Sequence, residues 1–281
     1  MELLVISHYQ AQEALSARQK GMETVEISLD LGLSTSRIVI NSDGLHLQAG
    51  KIIKWVDVEE IRKSSSSCYA IQNETLRPIQ FYSELTDKPY SLYPTKRAPT
   101  MLVAGIPMHR IKDTDPHQDT LEKLRAIKPV VGRVLDTATG LGYTAIEAAR
   151  TADHVTTIEI DPAALQVCRF NPWSQELFDN PKISQLIGDS FEMVIRMESG
   201  HFSRIIHDPP AFSLAGELYS GDFYRELFRV LRNRGFLYHY IGDPLSKSGH
   251  NITAGVIRRL EQAGFRQVRR VPRAFGVVAV K

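Results

Sequence analysis

The stretch Val134-Leu135-Asp136-Thr137-Ala138-Thr139-Gly140-Leu141-Gly142-Tyr143-Thr144-Ala145 decides the fold of this chain. A short apolar run ends in the carboxylate of Asp136 and then turns through two glycines into a segment with a helical pattern. Glycine suits a backbone that passes close to a ligand, because a Cβ atom would occupy the ligand's space. The stretch therefore predicts a strand, a ligand-binding turn and a helix.

Strand and helix patterns alternate from about residue 119 to the end of the chain. Such alternation indicates a mostly parallel sheet with helices on both faces. The last two strands are separated only by Val271–Phe275, too short for a crossover helix, so they are predicted to pair antiparallel. Strands are predicted at 133–136, 155–159, 183–187, 204–207, 235–241, 265–270 and 276–280, and helices at 143–150, 162–169, 190–197, 221–231 and 253–263.

The first third of the chain has short alternating runs, which are typical of antiparallel strands. Ser7 is the expected N-cap of one helix, and Asn41-Ser42-Asp43-Gly44 is a hairpin signal. The segment Lys88–Pro99 carries three prolines and is the expected linker. Residues 1–99 are therefore predicted to form a small β-rich domain with one helix, and residues 100–281 an α/β domain.

Composition points to a cytoplasmic globular protein. Of the 281 residues, 43% are hydrophobic and 23% charged, and the net charge of +2 implies no global polyanion partner. Two cysteines fit a reducing compartment, and no segment has the length or pattern of a signal peptide or membrane span. Near the C-terminus six arginines lie within sixteen residues, a cluster that either faces nucleic acid or forms a solvated edge: Arg258, Arg259, Arg266, Arg269, Arg270 and Arg273.

Two cofactor classes compete for the glycine turn. Residues 140–145 satisfy the G-x-G-x-x-A dinucleotide fingerprint, and Glu159 lies where a ribose-binding acid is expected. However, Asp136 would repel a pyrophosphate, whereas it can interact with the cationic methionine moiety of S-adenosylmethionine. Asp189, after the third strand, can accept the adenine amine, and Ser190 can cap the next helix. These acids favour S-adenosylmethionine over a nicotinamide cofactor.

With this order of acids and glycines, residues 119–281 resemble the class I S-adenosylmethionine-dependent methyltransferases. The resemblance implies a Rossmann-like seven-stranded sheet, mostly parallel with an antiparallel last strand, and S-adenosylmethionine as cofactor. Glu159 is the implied acceptor for two ribose hydroxyls. The implied cofactor-binding residues are Asp136, Thr137, Ala138, Thr139, Gly140, Gly142, Glu159, Ile160, Asp189 and Ser190.

A second motif, Asp208-Pro209-Pro210-Ala211-Phe212, follows the fourth predicted strand, at the edge where open α/β sheets bind ligands. The prolines fix the backbone and remove N–H donors, which leaves carbonyl oxygens beside a carboxylate. Such acceptors suit a substrate amine. The motif resembles the (Asn/Asp)-Pro-Pro-aromatic sequence of methyltransferases that modify nitrogens, so Asp208, Pro209, Pro210 and Phe212 are the expected catalytic residues. Because Ala211 intervenes, a stacking role and a core position both stay open for Phe212.

The segment Glu217–Leu227 resembles spermidine synthases, which use decarboxylated S-adenosylmethionine and carry a small N-terminal β-hairpin domain. Their glycine turn is typically Gly-Gly-Gly-Asp-Gly, unlike the turn here, and the paired acids that grip a polyamine are not evident. As a whole the chain is most similar to an uncharacterised, mainly archaeal group of predicted methyltransferases related to the spermidine synthases. Residues 135–145 and 208–220 carry that likeness.

The sequence thus predicts an S-adenosylmethionine-dependent methyltransferase acting on a nitrogen, with an RNA base favoured and another amine as the alternative acceptor. Spermidine-synthase-like aminopropyl transfer, and non-catalytic binding of RNA or a partner, are the two rival interpretations. RNA would bind through the arginine cluster, and a homodimer is compatible with the sequence. The residues from His109 to Asp119 are expected in a solvated loop rather than a metal site, His207 in the core and Tyr240 at the pocket wall.

Overall fold

The computed structural model of the protein describes residues 3–72, 75–210, 215–243 and 247–281. The chain divides into two compact units. Unit 1 comprises Met1–His117 and Ala163–Gln175, and unit 2 comprises Gln118–Pro162 and Glu176–Lys281. The domain limits 1–99 and 100–281 stay a prediction from composition.

Unit 1 is built largely from antiparallel strands, as its short alternating runs predict. Its elements are β1 (Leu4–Ile6), α1 (His8–Gln19), β2 (Thr24–Ile27), β3 (Ser36–Ile40), β4 (Gly44–His46), β5 (Ile52–Lys54), α2 (Trp55–Lys63), β6 (Tyr69–Gln72), β7 (Thr75–Pro78), β8 (Gln80–Ser83), β9 (Lys88–Tyr93), β10 (Thr100–Val103) and β11 (Ile106–Pro107). Over the described residues these strands form sheets of order β1-β6-β7, β2-β3-β4-β5 and β8-β9-β10-β11.

Local signals at the start of unit 1 are confirmed. Ser7 is the N-cap of α1, and it forms a capping box with Gln10, whose side chain accepts a hydrogen bond from the Ser7 backbone N–H at 2.9 Å. The predicted turn after Ile40 joins β3 to β4, and the Asn41 N–H donates to the Gly44 carbonyl. These elements follow from short-range chemistry alone.

A second helix in unit 1 corrects the prediction of one helix. One of the short alternating runs in the sequence, Ile52–Val56, predicts a strand, but the observed strand ends at Lys54 and α2 begins at Trp55. Trp55, Val58 and Ile61 are buried, and their spacing of three residues forms one face of a helix. The expected linker 88–99 is also partly wrong, because its first half is the strand β9.

Unit 2 contains the predicted α/β sheet. Its elements are α3 (Pro116–Arg125, of which 118–125 lie in unit 2), β12 (Arg133–Asp136), α4 (Tyr143–Ala149), β13 (His154–Glu159), α5 (Pro162–Arg169, of which only Pro162 lies in unit 2), α6 (Glu176–Asp179), β14 (Ile183–Ile187), α7 (Ser190–Ile195), β15 (Phe202–His207), α8 (Gly221–Val230), β16 (Leu231–Tyr240), α9 (Lys247–Gln262), β17 (Arg266–Val271) and β18 (Gly276–Val280). In the described chain seven strands pair in the order β14-β13-β12-β15-β16-β18-β17.

The strand directions confirm the predicted fold class. Strands β14, β13, β12, β15 and β16 are parallel, and β18 runs antiparallel to both β16 and β17. The central strands are buried on both faces, and Leu135, Ile205 and Leu237 belong to a core that also includes residues of α8 and α9. The carboxyl ends of the parallel strands therefore meet at one edge of the sheet.

Strand β17 forms one border of the sheet. Its pairing with β18 is irregular between Arg266 and Arg269, and Gln267 in that interval has a positive φ of 50°. Its arginine side chains are exposed. None of the helices in the described part of the chain is both long and apolar enough to span a membrane.

Candidate functional site

Asp136 lies at the carboxyl end of β12 with its side chain fully buried. Its Oδ2 accepts hydrogen bonds from the hydroxyls of Thr144 and Thr157, both at 3.0 Å. Its Oδ1 is also buried and has no hydrogen-bond partner among the described residues. Burial raises the pKa of Asp136 to about 7, although the two threonine hydroxyls lower it in part. Such an oxygen is a ready acceptor for a ligand group.

The two glycines of the turn have different tasks. Both have positive φ angles, 52° at Gly140 and 76° at Gly142, which side chains disfavour. A Cβ atom on Gly142 would lie 2.8 Å from the side chain of Leu177, so this glycine is required for packing. A Cβ atom on Gly140 would meet nothing within 4 Å. Gly140 therefore leaves open space beside the turn, which is where the sequence predicts the ligand.

Glu159 holds this turn in place from the end of β13. Its Oε2 accepts a hydrogen bond from the Gly140 backbone N–H at 2.9 Å, and its Oε1 accepts one from the Asp161 N–H at 3.1 Å. Burial raises the pKa of Glu159 to about 7, and the backbone donors partly offset this rise. The carboxylate is thus fixed beside the open space at Gly140. Its binding of ribose hydroxyls stays a prediction.

The rest of the predicted cofactor segment is tied to neighbouring strands. The hydroxyls of Thr139 and Thr157 lie 2.7 Å apart, and the Ser190 hydroxyl donates to the Thr137 carbonyl at 2.6 Å. Ala138 is half-buried and Ile160 is exposed. The loop after β12 is therefore held by residues of β13 and by the residue that begins α7 after β14.

One detail after β14 corrects the prediction. The N-cap of α7 is Asp189, whose Oδ1 accepts from the Glu192 N–H at 3.0 Å, and Ser190 is the first helical residue. Asp189 caps the helix because its side chain precedes the first turn, which leaves the Ser190 hydroxyl to reach the Thr137 carbonyl. Recognition of adenine by Asp189 stays a prediction.

The Asp-Pro-Pro motif follows β15 at the same edge. Tyr219 is buried and donates its hydroxyl hydrogen to the Pro210 carbonyl at 3.0 Å, which helps to hold Pro210 in place. Phe212 and Ala211 lie outside the described residues. His207 is fully buried, as expected. Its Nδ1 lies 2.7 Å from the Thr137 hydroxyl and its Nε2 donates to the Leu218 carbonyl at 2.9 Å.

His207 is uncharged and holds two neighbouring segments together through its two ring nitrogens, so it is not a proton donor to substrate. Burial lowers the pKa of His207 to about 3. Through Thr137 it joins the loop after β12 to β15, the strand that ends just before Asp208. Any displacement of Asp208 along β15 would disturb that loop.

The structure adds two residues that sequence reasoning missed. Lys123, on α3, is 1% exposed, and its Nζ lies 2.6 Å from Oδ2 of Asp208 and 2.9 Å from Oδ2 of Asp119. The same Nζ lies 4.8 Å from the ring centroid of Tyr240, which supports the predicted place of Tyr240 near the site. Asp119 is helical and fully buried, so its expected place in a solvated loop is wrong. The spacing Asp119-x-x-x-Lys123 was the available signal.

The charges of this cluster affect each other. Burial raises the pKa of Asp208, and the nearby ammonium of Lys123 only partly opposes that rise. Burial disfavours the charged form of Lys123, but the carboxylates of Asp208 and Asp119 outweigh it and raise the Lys123 pKa above its ordinary value. Oδ1 of Asp208 has no hydrogen-bond partner in the described part of the chain. This oxygen can accept a hydrogen from a substrate.

Comparisons with known proteins place these features in context. Residues 119–239 match a family described as "Conserved hypothetical protein 95". The uncharacterized protein MJ1233 of Methanocaldococcus jannaschii is 49% identical over 194 residues, which cover 68% of this chain and 67% of that protein. A polyamine aminopropyltransferase of Clostridium perfringens is 26% identical over 144 residues, which cover 50% of this chain and 51% of the relative.

A solved spermidine synthase, in complex with the transition state analogue AdoDATO, has a similar fold. The TM-score is 0.58 at 18% identity, and the superposition covers 74% of this chain and 76% of that one. The chain therefore has the fold of the spermidine synthases, with antiparallel sheets in the N-terminal part and a mostly parallel sheet after them.

Proposed function

The chain belongs to the same family as MJ1233 of Methanocaldococcus jannaschii, which is described as an uncharacterized protein, and we propose a function from the geometry of the site. We propose that the protein is an S-adenosylmethionine-dependent methyltransferase that acts on an uncharged nitrogen. An exocyclic amine of an RNA base is the favoured acceptor.

The residues at the carboxyl edge of the sheet fit the cofactor. The buried Oδ1 of Asp136 has no partner among the described residues, Gly140 leaves open space, and Glu159 presents a fixed carboxylate beside it. Asp136 would face the cationic methionine moiety, Glu159 the ribose, and Ile160 and Asp189 the adenine. When bound, the cofactor supplies an electrophilic methyl group on sulfur.

The proposal rests mainly on the two oxygens of the Asp208 carboxylate, which have different surroundings. One oxygen is paired with Lys123, and the other has no partner among the described residues. Oδ1 accepts a hydrogen of the substrate nitrogen, which aims the nitrogen lone pair away from Asp208. It then takes the proton that the nitrogen releases, a task for which burial prepares it by raising the pKa of Asp208. Tyr219 helps to hold the nearby Pro210 in place.

The charge of Lys123 supports methyl transfer over aminopropyl transfer in this proposal. A polyamine is a polycation and requires carboxylates that are free to face it. Here the buried carboxylate of Asp119 and the half-buried carboxylate of Asp208 already share one buried ammonium. Lys123 neutralises one of their two negative charges, so the cluster attracts a polycation less strongly than two unpaired carboxylates would. This reduced negative charge supports an acceptor that is neutral at pH 7, such as a base amine.

Aminopropyl transfer is the second candidate because the fold and the aminopropyltransferase relatives point to it. It would require decarboxylated S-adenosylmethionine and a diamine at the same edge. Ligand preference separates the two candidates, and also separates both from a non-catalytic binding protein.

The first test is calorimetric titration of the full chain with S-adenosylmethionine, its decarboxylated form and NADH. We expect the intact cofactor to bind most tightly and Glu159→Ala to weaken it at least tenfold, since hydrogen bonds to a charged group contribute about 1.5–3 kcal/mol each. Glu192→Ala is the matched control, because Glu192 is exposed on α7. Preference for the decarboxylated form would move the assignment to aminopropyl transfer, and no cofactor binding would leave only the binding protein.

The second test measures transfer from methyl-labelled cofactor to unmodified RNA transcripts and to a panel of amines. Asp208→Asn removes the proton acceptor while keeping the shape, so we expect labelling to fall by about a hundredfold or more. Cofactor affinity should stay within about twofold, which separates loss of chemistry from loss of binding. Full labelling by the Asn variant would contradict the role of Asp208.

A further inference from the structure

An arginine-lined groove lies on unit 2, between the C-terminal end of α3 and the turn after β17. Its volume is about 580 Å³. Among the described residues its lining includes four arginines and one glutamate. The lining residues are Glu122, Arg125, Ala126, Arg269, Arg270, Val271, Pro272, Arg273 and Ala274. We call this feature the arginine groove.

The lining of the arginine groove carries a positive excess. Arg125 pairs with Glu122, so this guanidinium and carboxylate neutralise each other. Arg269 donates to the Ala126 carbonyl at 3.4 Å, a bond that leaves its positive charge in place. Arg269, Arg270 and Arg273 are all exposed. The lining thus contains three more arginines than glutamates, and a concave surface with such an excess attracts anions.

The groove opens at the same edge of the sheet as Asp208. Strand register places His207 beside His239, His239 beside Val277, and Val277 beside Arg270. Arg270 is thus in the same row as the residue before Asp208, three strand spacings away, or about 14 Å at roughly 4.8 Å per spacing. Helix α3 also connects the two features, because Lys123 faces Asp208 while Glu122 and Arg125 line the groove.

Only three of the six arginines clustered near the C-terminus line the groove. Arg258 and Arg259 lie on α9 and do not line the groove, and neither does Arg266 at the start of β17. Arg125 joins from a distant part of the sequence. A solvated edge needs only charges on an exposed strand. The groove is concave and also includes Arg125 from α3. These two features favour a ligand-binding surface over a solvated edge.

We propose that the arginine groove binds the phosphodiester backbone of single-stranded RNA on one side of the nucleotide whose base reaches Asp208. This inference rests on the proposed function, because it supplies the backbone contact for that acceptor. Guanidinium groups match phosphate oxygens with two parallel hydrogen bonds, which favours phosphate over other anions. A single strand is favoured over a duplex, because a base that is already unpaired and unstacked reaches a pocket at the least cost.

The test is fluorescence anisotropy with a labelled twelve-nucleotide single-stranded RNA across a range of salt concentrations. The double variant Arg270→Gln with Arg273→Gln removes two groove charges. Its matched control, Arg258→Gln with Arg266→Gln, removes the same net charge from exposed positions outside the lining. We expect the groove variant to bind at least tenfold more weakly. Its slope of log affinity against log salt should fall by about 0.7 for each phosphate that it no longer neutralises. The control should stay within about twofold.

Three results would overturn the inference: no RNA binding by the wild-type protein at 50 mM salt, equal weakening in the two double variants, or equal competition by polyglutamate of the same length. Preference for a duplex of the same sequence would overturn the single-strand assignment. The outcome is independent of catalysis. If RNA binding depends on the groove but no methyl transfer occurs, only the proposed function is contradicted. If methyl transfer occurs but the groove variant binds RNA with unchanged affinity, only this inference is contradicted.

Discussion

Cofactor affinity should depend steeply on pH through Glu159. In the free protein burial raises the pKa of this carboxyl group to about 7, well above its ordinary value. Ribose hydroxyls donate hydrogen bonds, so the bound state requires the ionised carboxylate. The group must therefore release its proton on binding wherever the pH lies below about 7. A raised pKa in the free state and an ordinary one in the complex mean that affinity increases as pH rises.

The magnitude follows from the ionised fraction. At pH 5, about two units below a pKa of 7, roughly one molecule in a hundred has an ionised Glu159, whereas at pH 8 about nine in ten do. If only the ionised form binds, the affinity for S-adenosylmethionine rises about 90-fold between these pH values on account of this residue. Asp136, whose pKa burial also raises to about 7, adds a dependence of the same sign.

The assay is calorimetric titration at pH 5, 6, 7 and 8, with wild-type protein and Glu159→Gln. The glutamine keeps an oxygen acceptor but cannot ionise. The ratio of the two affinities cancels the titration of Asp136 and of the cofactor itself, so that ratio should change about 90-fold from pH 5 to pH 8. Glu192→Gln serves as the surface control. A ratio that stays constant over this range would refute the assignment of Glu159 as an acceptor for the ribose.

Further expectations concern the neighbours of the site. Lys123→Met should destabilise the protein by about 3 kcal/mol or more at pH 8, because it leaves Asp119 and Asp208 without their shared cation. Burial raises the pKa of Asp208, so protonation of this carboxyl group should reduce the loss as the pH is lowered; urea unfolding that shows the same loss at every pH would contradict this. Tyr219→Phe should cost about 1 kcal/mol of stability and slow methyl transfer with unchanged cofactor affinity, which denaturation and calorimetry together can check; an unchanged transfer rate would argue against the positioning role. Gly140→Ala should weaken cofactor binding by tenfold or more, with about 1 kcal/mol of backbone strain. Gly142→Ala should show the larger drop in thermal stability, because its methyl group would meet the packed side chain of Leu177. A larger loss of stability in Gly140→Ala than in Gly142→Ala would contradict these different roles of the two glycines.

Much of the α/β sheet could be predicted from sequence because its signals are local. The apolar run before Asp136, the glycine turn and the proline that begins α5 each specify backbone within a few residues. The short link between β17 and β18 also sufficed to require an antiparallel pair. By contrast, α2 was missed because its first residues continue a β-like run, and only the burial of Val58 and Ile61 shows a helical face.

The candidate site was predicted only where a motif marks it. Asp208 and Glu159 follow strands, so topology brings them to one edge. Lys123 lies 85 residues before Asp208, and nothing in its local pattern separates a buried lysine from one that reaches solvent. The hydrogen bond from Ser190 to the Thr137 carbonyl spans 53 residues and exists only in the folded chain, so the sequence predicted a helix cap in its place. Long-range pairing of polar side chains was therefore the part that sequence could not supply.

The border strand β17 has a consequence for how other molecules can approach this side of the protein. A regular edge strand invites a second chain to extend the sheet through backbone hydrogen bonds. Here the irregular pairing near Gln267 and the exposed arginines on β17 hinder that mode, since a disrupted ladder and repeated like charges both oppose strand addition. A molecule that binds at this border must therefore contact the arginine side chains rather than the strand's backbone. The same features oppose the addition of further copies of the chain to this edge, and so oppose growth into fibres.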